Sequence, residues 1–108
     1  KIVYTNGTAA YAQDVLNALG IRPVFDALYG IEDANYLPKP ELCAFENIFK
    51  KDGINPQHAA MFEDDPRNLV VPKSFGMRTV LVAQSDVQKP DHVDFVTTDL
   101  TNFLRQIV

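Results

Sequence analysis

Apolar and polar positions change rhythm along the chain, and each change predicts an element. Residues 1–5, Lys1-Ile2-Val3-Tyr4-Thr5, form an apolar, β-branched run of the kind found in buried strands. Asn6-Gly7 supplies a tight turn, and Thr8 is placed to cap a helix that runs to about Leu19 and stops at Gly20. In that helix Ala12, Val15, Leu16 and Leu19 recur at helical spacing as a core face, leaving Gln13, Asp14 and Asn17 to water. Residues 24–29 alternate roughly by twos and close at Gly30, which predicts a short strand or extended connection. No period is sustained over residues 31–37. Pro38-Lys39-Pro40 is expected to hold the backbone extended before a helix over residues 41–52, with Pro40 in its first turn. Leu42, Phe45, Ile48 and Phe49 are its expected buried stripe and Gly53 its end.

The second half repeats the alternation. Asn55-Pro56 marks a loop, residues 59–63 a central strand, and Pro66 the first turn of a helix that Pro72 must kink or shorten before Gly76 ends it. Residues 78–83 read as a β-branched strand, Lys89-Pro90 lies in a polar surface loop, and residues 94–97 form a shorter last strand. Asp99 then caps a helix with Leu100, Phe103, Leu104 and Ile107 on one face. Strands alternating with helices predict an α/β fold, a parallel sheet with helices on both faces, in which ligands bind beyond the carboxyl ends of the strands. Thr5-Asn6-Gly7 and Glu63-Asp64-Asp65 both fall at such ends.

Composition narrows the class without changing the fold. At 108 residues, 46% apolar and 22% charged, the chain has the size and balance of one soluble globular domain. A net charge of −4, with no basic run longer than Lys50-Lys51, excludes a surface for duplex nucleic acid. A small phosphate ester stays compatible, since one lysine and a few backbone N–H groups suffice to hold it. The lone Cys43 rules out an intrachain disulfide framework and suits a reducing cytosol; on its helix it is expected to be a small core residue. No run of about 18 apolar residues and no charged-then-apolar leader is present, so the expectation is a cytoplasmic protein without a membrane partner. Opening directly on a strand, the chain reads as cut from something longer.

Three stretches carry candidate chemistry. The three consecutive carboxylates Glu63, Asp64 and Asp65 repel one another unless a cation or hydrogen-bond donors gather their charge. A hard cation such as Mg²⁺ takes one or two such carboxylates and completes its shell with water and phosphate oxygens. Capping by an Asp-Asp-Pro helix start, with Asn68 adding a polar contact, accounts for the same residues equally well. Thr5-Asn6-Gly7-Thr8 brings a hydroxyl, a carboxamide and free N–H groups to a helix start that favours an anion, although an Asn-Gly turn before a Thr cap is also ordinary punctuation. Lys39, stiffened between two prolines, could aim an ammonium at a transferring phosphoryl group or be a solvated loop lysine. His58 and His92 lie in polar loops and are expected to be surface residues.

In order, Thr-Asn-Gly after a strand, Lys-Pro before a helix and Glu-Asp-Asp after another strand resemble the haloacid dehalogenase (HAD) superfamily of phosphotransferases, over the whole chain. The resemblance implies a three-layer Rossmann-like sheet, with residues 1–108 as a partial phosphatase core domain lacking its first strand and its cap. It implies that Thr5 and Asn6 hold the phosphoryl group, that Lys39 binds it and acts in catalysis, and that Asp64 with Asp65 or Glu63 holds Mg²⁺. Asn68 occupies the position four residues on where the family often has another acid or amide. The wording from Phe62 to Leu69 and from Gly76 to Val82 is similar to the pyrimidine 5′-nucleotidase group, which implies a nucleoside 5′-monophosphate substrate. Phosphoglycolate-type and other small-metabolite phosphatases share much of that pattern. The family's Asp-x-Asp nucleophile motif does not occur here, so the aspartyl-phosphate intermediate is expected to form on a residue upstream of this chain. A non-catalytic phosphate-binding or interaction domain is the alternative.

Overall fold

The computed structural model describes residues 1–107. It is an α/β structure in which all the paired strands run parallel, the fragment of a Rossmann-like core that the sequence predicts. The chain divides into two compact units, residues 1–53 and residues 54 onward. No helix among the described residues is long and apolar enough to cross a membrane.

In the first unit β1 (Ile2–Tyr4) pairs with β2 (Ala27–Tyr29), Ile2 opposite Ala27 and Tyr4 opposite Tyr29. The crossover is α1 (Ala9–Ala18). Thr8 caps it as expected, its Oγ1 accepting from the Tyr11 N–H at 3.2 Å, and the Glu32 carboxylate takes the Ala9 N–H at 2.7 Å. Gly20, at φ +72°, makes the left-handed exit. The expected core stripe of α1 is largely uncovered: Val15 is 39% and Leu19 65% exposed, and only Ala12 and Leu16 are half-buried. Within this unit α1 packs on β2 and on the short turn that joins them, too little surface to cover the whole stripe.

Residues 24–29 do not form one strand. Pro23, with fixed φ and no N–H, suits the first turn of a 3₁₀ helix, and Arg22–Val24 adopts one, shortening the strand to three residues. Ile31–Ala34 form a second 3₁₀ turn. Pro38-Lys39-Pro40 is a turn rather than an extended segment, closed by the Glu41 N–H on the Pro38 carbonyl at 3.0 Å, with a cis Lys39-Pro40 peptide. Helix α2 (Leu42–Asp52) ends on Gly53 at φ +77°. Its buried side is Ala44, Phe45, Ile48 and Phe49, and Ala44 and Ile48 pack with Ala34, Tyr4 and Tyr29. Leu42 and Cys43, expected inside, are exposed: the packed surface begins at Ala44 and leaves the first turn outside.

In the second unit β3 (Ala60–Glu63), β4 (Arg78–Val82) and β5 (Phe95–Thr97) lie in that order, with Glu63 opposite Leu81 and Val80 opposite Phe95. Central β4 buries Thr79, Val80 and Leu81. After β3 a 3₁₀ turn over Pro66–Leu69 passes into α3 (Val70–Ser74), a short helix, as Pro72 requires. Leu69, Leu81 and Val93 form the core with Met61 and Val96 against them. Helix α4 (Leu100–Ile107) starts on Asp99, whose Oδ1 accepts from the Asn102 N–H at 3.0 Å, and its Phe103 meets Phe62 and Phe95 edge-on. Strands β1 and β3 are both edges of their sheets.

Candidate active site

Each unit carries one group of the expected residues at the carboxyl end of its first strand. In the first, β1 delivers Thr5, whose Oγ1 accepts from the Gly7 N–H at 3.1 Å. A hydroxyl accepting in this way keeps its own proton to donate. Asn6 faces Lys39: Oδ1 accepts from the Lys39 N–H at 2.8 Å, and Nδ2 donates to the Lys39 carbonyl at 3.3 Å. The carboxamide thus pairs with the Lys39 peptide as a neighbouring strand would. One Nδ2 hydrogen remains for an anion. The half-buried Lys39 lays its Nζ over the Tyr4 ring, 5.0 Å from the centroid, and donates to the Tyr4 carbonyl at 3.4 Å. Tyr4 is a firm platform. Its ring packs edge-on against buried Phe45, and burial pushes its phenol up to about 12, so it stays neutral at ordinary pH. Thr5, Asn6 and Lys39 are therefore gathered in one place.

The start of α1 differs from expectation. Its Ala9 N–H, offered by the sequence to an anionic ligand, is held by the Glu32 carboxylate. Gly30 makes that approach feasible, because a Cβ there would stand 2.3 Å from the Ala9 nitrogen and 2.8 Å from the Thr8 carbonyl carbon. Nothing in the local sequence marks Glu32, 23 residues away, as the partner of this helix.

In the second unit the three acids take different roles. Glu63 accepts from the Asp65 N–H at 3.0 Å and from Asn68 Nδ2 at 3.3 Å. Asp65 caps the turn through the Arg67 N–H at 3.0 Å and binds the Arg67 guanidinium, with Nη2 at 2.7 Å from Oδ2. Capping is thus the role seen for Asp65, and the Asn68 contact has the expected form. Asp64 is exposed, and its carboxylate has no hydrogen-bond or ion-pair partner among the described residues. It lines a cavity of about 390 Å³ with Pro66, the end of β4 and the loop through Pro90.

Among the described residues no cluster of three or more His, Cys, Asp or Glu side chains could by itself hold a metal. The donor set fits Mg²⁺ nevertheless, since that ion needs only one or two protein carboxylates and Asp64 presents an uncommitted hard oxygen pair. His58 is exposed, as expected. His92 is not a surface residue: it is half-buried, and its Nε2–H donates to the Pro66 carbonyl at 2.7 Å.

Residues 2–82 match the family of haloacid dehalogenase-like hydrolases, and the chain belongs to that family. It is 28% identical over 100 residues to validoxylamine A 7′-phosphate phosphatase from Streptomyces hygroscopicus subsp. limoneus, a match covering 92% of this chain and 46% of that protein. A HAD phosphatase from Thermococcus onnurineus aligns with a TM-score of 0.74 at 26% identity, over 90% of this chain and 45% of the other. The L-2-haloacid dehalogenase from Xanthobacter autotrophicus shares the fold, with a TM-score of 0.83 at 17% identity over 98% and 54% of the two chains. The chain spans about half the length of these relatives.

Proposed function

We propose that residues 1–108 are a partial phosphatase core domain, working in a longer cytoplasmic protein that hydrolyses small phosphate monoesters. The observation that carries this reading is the grouping of Thr5, Asn6 and Lys39: a hydroxyl donor, an amide hydrogen and an ammonium at one strand end. Three such donors suit the equatorial oxygens of a phosphoryl group in transfer. A carboxylate upstream of this chain attacks phosphorus, the ester P–O bond breaks, and the leaving oxygen takes a proton from a general acid that also lies upstream. Water then cleaves the acyl phosphate to inorganic phosphate. Lys39 offsets charge on the phosphoryl oxygens and Thr5 donates to one of them. When bound, Mg²⁺ neutralises phosphoryl charge. Asp64 would hold it from this chain, with Asp65, braced by Arg67, as the second acid.

The wording around Asp64 favours the pyrimidine 5′-nucleotidase branch and a nucleoside monophosphate such as UMP or CMP. The relative named for validoxylamine A 7′-phosphate favours a second reading, a phosphatase of another small metabolite. Assays of the full-length protein on UMP, CMP and phosphoglycolate distinguish the two. Lys39→Ala and Asp64→Asn are each expected to lower kcat by about 100-fold or more. A full-length protein inactive on all phosphate esters would overturn the proposal and leave the non-catalytic binding module, and variants with unchanged turnover would overturn the roles given to Lys39 and Asp64.

A further inference from the structure

The chain must reverse sharply after β3, and it does so on a turn stiffened by its own acids. Glu63 holds the Asp65 N–H and the Asn68 amide, and Asp65 holds Arg67, so the bonds at 63–68 cross-brace the turn locally. Local bonds fix the shape of a turn but not its tilt on the sheet. A longer tie comes from His92, 26 residues away, whose Nε2–H meets the Pro66 carbonyl at 2.7 Å. Because a carbonyl only accepts, Nε2 must carry the proton. The base of this tie is itself fixed. The His92 carbonyl accepts from Thr79 Oγ1 at 2.7 Å, and Thr79 is fully buried in β4. Two residues on, Asp94 accepts from the Thr79 N–H at 2.9 Å and pairs with Lys73 at 2.7 Å.

We propose that His92 is a positioning residue: a strut from β4 to the Pro66 carbonyl that sets the direction in which the Asp64 carboxylate points. Its purpose rests on the reading of Asp64 as the metal arm. Orientation matters there because a metal ligand held loosely loses affinity, and removing an outer support typically costs about tenfold or more.

The test uses the full-length protein with Mn²⁺ as the probe, titrated by the electron paramagnetic resonance signal of the free ion, together with amide hydrogen exchange at Asp64, Asp65 and Arg67. His92→Phe keeps a ring and removes the donor; it is expected to weaken Mn²⁺ binding about tenfold and to speed exchange at those amides. His92→Gln, which restores an N–H at similar reach, is expected to recover both in part. Should the Phe variant fail to fold, His92→Asn, polar but too short to reach Pro66, carries the same expectation. A purely structural histidine would lower Tm and leave Mn²⁺ affinity, measured well below Tm, unchanged; that result overturns the proposal and spares the metal reading. If the unmutated protein binds Mn²⁺ no better than Asp64→Asn, the metal reading falls, and the purpose given to the strut falls with it.

Discussion

Asn6 and Asp64 show how far a residue's type announces its work. The sequence marked Asn6 as a phosphate donor, yet both ends of its carboxamide are engaged with the Lys39 peptide. Asn6→Ala is therefore expected to act through Lys39 as well as by removing the remaining Nδ2 donor, lowering kcat of the full-length enzyme about tenfold or more, as steady-state kinetics can check. Asp64 was legible because charge crowding is written in adjacent residues, whereas His92 and Glu32 act on partners 26 and 23 residues away that no local pattern reveals. Asp94 is a further case. Hydrogen bonding from Lys73, then from the Thr79 N–H, holds its carboxyl below the ordinary carboxylate range. A carboxylate with a depressed folded-state pKa stabilises the fold above about pH 4, and that contribution is lost as pH falls through the ordinary range toward the folded value. Asp94→Asn is expected to cost about 1 kcal/mol at pH 7, a figure kept small because Lys73 is 38% exposed, and less at pH 3. Urea titrations at the two pH values measure the difference; equal costs at both would refute it.

Elements were most legible where chemistry punctuates them. Thr8, Gly20, Gly53 and Asp99 bound their helices as the sequence predicts, and Pro72 lies in a short one, because a cap or a breaker acts on its own backbone. Burial was less legible, since it depends on what lies opposite. Leu42 has the right spacing for the stripe of α2 and is still 47% exposed, because the packed surface starts later along the helix. The join between α1 and Gly30 belongs to this scale. Gly30 sits at φ −110°, so its need for glycine is steric rather than conformational: a methyl would press on the backbone of Ala9 and Thr8. Backbone cannot move aside as a flexible side chain can. Gly30→Ala is expected to destabilise the fold by about 2 kcal/mol and to loosen the Glu32 cap of α1. Thermal unfolding and exchange of the Ala9 amide measure both, and an unchanged Tm in the Gly30→Ala variant would show that α1 shifts at no cost.

Across the molecule, the parallel strands are divided between two sheets, and the site strands β1 and β3 each pair on one side only. A parallel edge displays unpaired N–H and C=O groups, and natural edges are usually blunted by charge, proline or a covering segment. Ile2-Val3-Tyr4 contains neither charge nor proline, and β3 carries no charge before Glu63 at its very end. The 108-residue chain by itself is thus expected to associate as its concentration rises, which light scattering on a sizing column would record; a sharp monomer at every concentration would count against it. The exposed stripe of α1 offers a competing cause, with Val15 and Leu19 in water. Val15→Lys with Leu19→Lys separates the two, because it breaks the exposed part of the apolar stripe and leaves both edges intact. Association that persists in this double variant assigns it to the strands. Its disappearance assigns it to the helix and leaves the edges of β1 and β3 innocuous in water.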